Sequence, residues 1–375
     1  MKLDKKEIMK ALETISVSGE GKNMVESGVV QNIMTFGDEV VVDLLLSTPA
    51  LHIKKRAEVD VMKAIHEHVY QKAKVKVNVK VQAPEKTEIK GKAIPGIKNI
   101  VAVASGKGGV GKSTVTANLA VSLAKMGFKV GLLDADIYGP SMPMMFDVQA
   151  EKPLSVNVDG KSKMKPVENY GVKLLSIGFF TQPNQAVIWR GPMAAKALNQ
   201  MIFDAAWGEL DFLLVDLPPG TGDIHLSIMQ SLPVTGAVVV STPQNVALAD
   251  AKKGVAMFKQ EAINVPVLGI VENMAYFTPE ELPENKYYIF GKEGAKMLAE
   301  DLEVPFLGQI PLVQSIREAG DIGHPAALQE ETPLSEAFDK LTQNIVQETV
   351  DRNSSLPPTE AIKITTMAGC SAVKK

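Results

Sequence analysis

The chain has 375 residues, 45% of them hydrophobic, and a formal net charge of −3. That length gives room for two domains and that apolar share for a sizeable core, while the near-neutral balance gives no global pull toward nucleic acid or an anionic membrane. Cys370 is the single cysteine, which excludes an intrachain disulfide and any cysteine-only metal site within one chain.

Residues 1–17 mix lysines with Asp4, Glu7 and Glu13 and contain no continuous apolar run, so no secretion signal is expected. No apolar stretch reaches the roughly 20 residues that a bilayer span requires. A cytoplasmic protein with neither nucleic acid nor membrane as partner is expected. Residues 1–82 read as a small α+β accessory domain: helix over 5–15, strand over 40–46, helix over 57–72, and a strand over 75–81 that alternates with lysines. Lys54, Lys55 and Arg56 beside His52 read as a solvated helix entrance. His66 and His68, two apart on a predicted helix, diverge and do not suit a shared metal. Residues 83–96, with Pro84, Gly91 and Pro95 among lysines and glutamates, read as a linker.

From residue 97 to 350, strands and helices alternate. Strands are expected over 100–104, 129–134, 173–177, 212–216, 237–242, 267–273 and 305–309. Helices are expected after the first strand and over 192–206, 224–231, 247–261, 294–301 and 334–350. The fold class is therefore α/β, with a mostly parallel sheet covered by helices on both faces and preceded by the small α+β domain. Residues 153–166 read as a hairpin turning at Asp159-Gly160, and residues 351–375 as a mobile tail.

Between the first strand and its helix lies Ser105-Gly106-Lys107-Gly108-Gly109-Val110-Gly111-Lys112-Ser113-Thr114, which matches G-x-x-x-x-G-K-(S/T). Gly106, Gly108, Gly109 and Gly111 allow positive φ and close approach of backbone amides to an anion. Lys112 is suited to the β- and γ-phosphates of ATP, Ser113 to Mg²⁺, and the following helix adds its positive end. Asp216 at the end of its strand is the Walker B candidate, and Leu217-Pro218-Pro219-Gly220-Thr221-Gly222-Asp223 after it is placed as a nucleotide-sensing loop. Asp134 and Asp136, alternate positions at a strand end, are expected on one side of it. One is suited to orient or deprotonate the attacking water and the other to support Mg²⁺.

Lys107 marks the deviant Walker A pattern K-G-G-x-G-K-(S/T), and with it the chain resembles the SIMIBI P-loop ATPases, the group of MinD, ParA, ArsA and the nitrogenase iron protein. The resemblance narrows to the Mrp (ApbC) family of iron-sulfur cluster carrier ATPases. It is carried by residues 103–114, Leu133-Asp134-Ala135-Asp136-Ile137-Tyr138-Gly139-Pro140-Ser141, Trp189-Arg190-Gly191-Pro192-Met193, residues 216–223 and Val271-Glu272-Asn273-Met274. Residues 1–82 are similar to the small domain often fused to that family and found alone in iron-sulfur assembly factors.

The resemblance implies an Mg²⁺-dependent ATPase acting as a homodimer, with a 4Fe-4S cluster as cargo and apo iron-sulfur proteins and assembly factors as partners. It implies nucleotide contacts from Gly106, Lys107, Gly108, Gly109, Val110, Gly111, Lys112, Ser113 and Thr114, with Asn273 at the adenine. Lys107 would reach the partner's nucleotide, Asp136 would act at the hydrolytic water, and Ser113, Asp134 and Asp216 would serve Mg²⁺.

The sequence departs from the family where the cargo should sit. The Cys-x-x-Cys expected after Asn273-Met274-Ala275-Tyr276-Phe277 is replaced by Thr278-Pro279-Glu280-Glu281, and the cysteine expected after Thr48-Pro49 is absent. Clusters of this type normally take four thiolates, so Cys370 is the candidate ligand, with Glu280, Glu281, Glu284 or His52 as oxygen or nitrogen substitutes. The alternative is a nucleotide-driven switch or scaffold of cluster assembly that holds no cluster. A MinD- or ParA-like positioning ATPase would call for a basic amphipathic end, which the polar, small-residue-rich segment 362–375 does not supply.

Overall fold

The computed structural model describes residues 4–15, 23–36, 38–46, 51–81, 94–180, 191–261, 263–279, 281–282, 284–329 and 331–359. The chain divides into two compact units, Met1–Thr87 with Ser354–Pro357, and Glu88–Asn353 with Pro358–Lys375.

The first unit contains α1 (Lys5–Leu12), β1 (Val30–Phe36), β2 (Glu39–Leu46), α2 (Leu51–His68) and β3 (Lys74–Val81). The strands form one sheet in the order β1-β2-β3, antiparallel between β1 and β2 and parallel between β2 and β3. Val40, Val42 and Leu44 alternate onto the buried face of β2 and meet Ile8, Leu12, Val61 and Ile65 from the two helices. The strand β1 escapes the sequence reading because Gln31 and Asn32 break its alternation, at the point where the pairing shifts register between Val30 and Asn32. His66 has a local partner instead of a metal: its Nε2 lies 2.9 Å from the Ala73 carbonyl oxygen.

The second unit runs β4 (Ile97–Ala104), α3 (Lys112–Lys125), β5 (Val130–Asp134), α4 (Met142–Met145), β6 (Leu154–Val158), β7 (Lys161–Lys165), β8 (Val167–Asn169) and β9 (Val172–Ser176). It continues through α5 (Gly191–Phe203), β10 (Leu210–Asp216), α6 (Asp223–Ser231), β11 (Gly236–Ser241), α7 (Asn245–Lys259) and β12 (Val267–Phe277). Last come α8 (Gly294–Asp301), β13 (Phe306–Leu312), α9 (Gln314–Asp321) and α10 (Pro333–Ser355). Eight strands form one sheet in the order β13-β12-β11-β4-β10-β5-β9-β8, parallel throughout except for the β8–β9 pair at one edge. The β6–β7 hairpin turns at Asp159 and Gly160, both with positive φ (51° and 77°), as the Asp-Gly pair implied.

Both faces of the large sheet are covered, and β4 shows how. Val101 and Val103 point into a cluster with Leu119 and Leu123 of α3 and Phe338 and Leu341 of α10. Ile100, Ala102 and Ala104 point to the opposite face, into a cluster with Leu198 of α5, Met229 of α6 and Phe258 of α7. A strand buried on both sides reads as an unbroken apolar run, which is how residues 100–104 appear in the sequence.

The C-terminal end of the second unit differs from expectation. The last helix, α10, continues to Ser355, five residues past the expected domain end, with Thr349 and Ser355 buried. The expected start of a mobile tail at residue 351 is thus corrected to a helical end, and residues 360–375, Cys370 among them, lie outside the described residues. The helix α9 is absent from the sequence reading; its eight residues carry only Ile316 and Ala319 as apolar positions, too few to mark a helix in the sequence.

Candidate active site

Parallel register brings the site residues together at the carboxyl ends of the central strands. Asp216 of β10 pairs in register with Asp134 of β5, and Asp134 pairs with Ser176 of β9. These three side chains stand in a row across the sheet, beside the loop that leaves β4.

That loop depends on its glycines in two different ways. Gly109 and Gly111 have φ of 82° and 83°, where a Cβ is unfavourable, and Gly111 is followed at once by α3. Gly106 and Gly108 do not have positive φ, contrary to the sequence expectation. Gly106 is required for space: a Cβ there would stand 2.1 Å from the backbone carbon of Asp250 and 2.6 Å from the nitrogen of Ala251, both in α7. A Cβ on Gly111 would meet Asn273 Nδ2 at 2.2 Å. Lys107 is exposed, Val110 is buried, and Thr114 is half-buried.

Lys112, the first residue of α3, is buried with its ammonium 2.7 Å from Asp216 Oδ2 and 3.9 Å from Asp136 Oδ2. Ser113 donates its hydroxyl to Asp216 Oδ2 at 2.7 Å, and Thr116, one turn on, donates to Asp216 Oδ1 at 2.8 Å. Both oxygens of a fully buried carboxylate are thereby engaged. Thr116 was missed by the sequence reading; its spacing of three from Ser113 on a helix that opens at the loop is the signal that would have found it.

Asp134 is the last residue of β5, and Asp136 lies beyond the strand, so the two do not share a strand face as expected. Ala135 turns away, its N–H donating to the Asp216 carbonyl at 3.0 Å. Asp134 is fully buried and accepts from the Asp136 and Met142 amides at 3.2 Å and from the Ser176 hydroxyl at 2.8 Å. Asp136 accepts from the amides of Tyr138 and Gly139 at 3.3 Å. Asn273, at the end region of β12, donates Nδ2 to the Val110 carbonyl at 2.9 Å and so ties that strand to the loop.

Burial pushes the Asp134 carboxyl up from an ordinary value of 3.8 to about 7; the neighbouring Asp216 charge acts the same way, against the Ser176 hydroxyl, Lys112 and the Met142 amide. The folded chain therefore keeps this proton at pH values where the unfolded chain has lost it, and ionisation favours unfolding in the window from about 4 to about 7. The nucleotide-free protein is expected to lose stability across that window. The Asp134→Asn variant lacks the effect, so its thermal midpoint should move upward relative to the wild type as pH rises; a difference independent of pH would contradict the role of burial.

Where the cargo ligands were expected, β12 runs on to Phe277. Phe277 and Tyr287 then exchange backbone hydrogen bonds of 2.8 Å in both directions, closing the loop between them. Glu281 and Glu284 are exposed on it, and Glu280 and the side chain of His52 lie outside the described residues. Among the described residues there is no group of three His, Cys, Asp or Glu able to hold a metal ion, and no helix long and apolar enough to cross a membrane.

A glycine loop between a buried strand and helix, a lysine and hydroxyl at that helix's first turn, and a carboxylate on a neighbouring parallel strand define a P-loop NTPase. The model of a family described as NUBPL iron-transfer P-loop NTPase matches residues 96–346. The chain belongs to that family. A second model, described as iron-sulfur cluster assembly protein, matches residues 5–90. A relative from Synechocystis sp. named iron-sulfur cluster carrier protein is 43% identical over 326 residues, 86% of this chain and 92% of its own. One of the same name from Aquifex aeolicus is 51% identical over 250 residues, 66% of this chain and 67% of its own. A solved structure of a nucleotide-binding protein from Archaeoglobus fulgidus in complex with ADP is similar at 40% identity and a TM-score of 0.56, covering 66% of this chain and 94% of that one.

Proposed function

We propose that the chain is an ATP-hydrolysing iron-sulfur cluster carrier that delivers clusters to apo-proteins. The observation that carries this reading is the joining of a complete P-loop site to sequence similarity with proteins named for cluster carriage along 86% of the chain. The accessory unit, residues 1–82, and the linker, residues 83–96, then serve the ATPase unit by docking assembly factors or clients. The protein works in the cytoplasm as a homodimer, with Lys107 of each protomer reaching the nucleotide of the other.

The site suits ATP. The amides of Gly106 to Gly111 and the Lys112 ammonium receive the phosphates, Thr114 flanks them, and Asn273 meets the adenine. The oxygen donors Ser113 and Asp216, whose atoms already converge to 2.7 Å, are of the hard type that Mg²⁺ prefers, with Asp134 supporting them from behind. Bound there, Mg²⁺ would neutralise charge on the phosphates. Asp136 accepts a hydrogen bond from the attacking water and orients it. The water oxygen bonds to the γ-phosphorus, and the bond from that phosphorus to the β–γ bridging oxygen breaks with its electron pair left on ADP. The products are ADP, inorganic phosphate and a proton.

The second reading, a nucleotide-driven switch or scaffold that holds no cluster, is favoured by one specific observation: the sequence holds a single cysteine, Cys370, where a cluster normally takes four thiolates. Anaerobic reconstitution with iron and sulfide decides between them. For a carrier, the full chain takes up stoichiometric iron with visible absorption, with Cys370, client thiols or a small thiol as ligands, and then activates an apo-enzyme. A protein that stays colourless under every thiol condition is the switch.

A further inference from the structure

His225 is the third residue of α6 and is 1% exposed, and no role was expected for it. Its Nε2 lies 2.8 Å from the Pro218 carbonyl oxygen, and its backbone N–H donates to the Gly222 carbonyl at 3.0 Å. The ring thus holds the Pro218 end of the segment Pro218-Pro219-Gly220-Thr221-Gly222, which begins two residues after Asp216, while the bond to Gly222 is made by the backbone at the start of α6. The same segment is tied to the nucleotide loop by Gly220, whose N–H donates to the Ser105 carbonyl at 2.9 Å; Leu217, just before the segment, donates to Val103 of β4 at 3.0 Å.

A carbonyl only accepts, so the Nε2 proton is fixed on the side facing Pro218. Nδ1 then carries the lone pair, and it is buried with no hydrogen-bond partner among the described residues. Burial holds the imidazole below its usual pKa, and the charges of Lys112 and Asp136 both act on it, which places it within electrostatic reach of the phosphate site. Leaving one nitrogen of a buried ring unsatisfied costs free energy, so its presence calls for a compensating role.

We propose that His225 is a positioning residue for ATP hydrolysis: its Nε2–H holds the Pro218–Gly222 segment against the nucleotide loop without touching the nucleotide. This rests on the hydrolytic reading above. The requirement is for a donor of the right reach, not for a titrating group, so a glutamine amide can substitute and an apolar side chain of similar size cannot.

Steady-state ATP turnover of the full chain with Mg²⁺, together with ADP affinity by calorimetry, tests the role. His225→Phe is expected to lower kcat about tenfold, the effect of one hydrogen bond at about 1.4 kcal/mol, while KM and ADP affinity stay within about twofold. His225→Gln is expected to stay within about threefold of the wild type in kcat. If the phenyl ring prevents folding, as thermal unfolding will show, His225→Leu takes its place with the same expectations. Wild-type turnover in the apolar variant, a His225→Gln loss as deep as that variant's, or a KM rise with unchanged kcat each overturns the proposal. A wild-type chain that binds ATP and never cleaves it overturns the hydrolytic reading itself and this role with it.

Discussion

Lys112→Ala is expected to show no ATP binding detectable by calorimetry and to unfold well below the wild type. The two losses have separate causes. Binding fails because the ammonium supplies charge-assisted hydrogen bonds to phosphate, worth about 1.5–3 kcal/mol each. Stability falls because the same ammonium lies 2.7 Å from Asp216, a carboxylate with no solvent exposure. Removing one partner of a buried pair leaves the other charge uncompensated, at a cost of about 3–5 kcal/mol. The double variant Lys112→Ala with Asp216→Asn separates the effects: it should recover much of the stability and none of the affinity. Wild-type ATP affinity in Lys112→Ala would refute the assignment of the loop.

Asp136→Ala is expected to bind ATP as the wild type does and to lose turnover by about 10²–10⁴-fold, the range for a positioned proton-accepting group. Among the described residues its side chain bonds to the Tyr138 and Gly139 amides and lies 3.9 Å from Lys112, so truncation leaves the Asp216 network standing. Mixing this variant with Lys107→Ala tests the dimer in the same experiment. Each parent has two defective sites, whereas a mixed dimer has one site with both residues intact. Random exchange makes half the dimers mixed, so activity should return to about a quarter of the wild-type value. A mixture no more active than its parents would place Lys107 outside the partner's site, and full turnover by Asp136→Ala alone would move the catalytic role elsewhere.

The alternation of strands and helices from residue 97 onward was legible because strands buried on both faces leave continuous apolar runs. The P-loop was legible because its glycines and Lys112 follow a fixed spacing. What escaped was whatever depends on atoms brought from elsewhere in the chain. The sequence marks Gly106 as a residue of special backbone conformation, yet the constraint comes from the α7 backbone at Asp250 and Ala251. Thr116 and Ser176 lie in ordinary helix and strand sequence, and only the register of β5, β9 and β10 and the first turn of α3 direct them to Asp216 and Asp134. Asp136 was expected on the same side as Asp134, but it lies two residues past the strand end at Asp134, where strand alternation no longer applies. The strand β1 and the helix α9 were missed for simpler reasons: polar residues interrupt the alternation of β1, and α9 is eight residues long with only Ile316 and Ala319 apolar.

The Lys112–Asp216 pair makes nucleotide entry an ion-exchange reaction. An empty phosphate site lined with a lone lysine would be a strong trap for any passing anion. Here the chain supplies its own counter-ions, with Asp216 at 2.7 Å and Asp136 at 3.9 Å from the Lys112 ammonium. If a triphosphate binds as proposed, it would draw the ammonium off Asp216, and the carboxylate so released would be available for a cation arriving with the phosphates. Anion and cation would then be thermodynamically coupled on entry: each makes room for the other, and inorganic anions arriving without a divalent cation would leave a buried carboxylate with hydroxyl donors and no counter-charge. Discrimination against them is thus built into the resting ion pair, before any contact with the base is made.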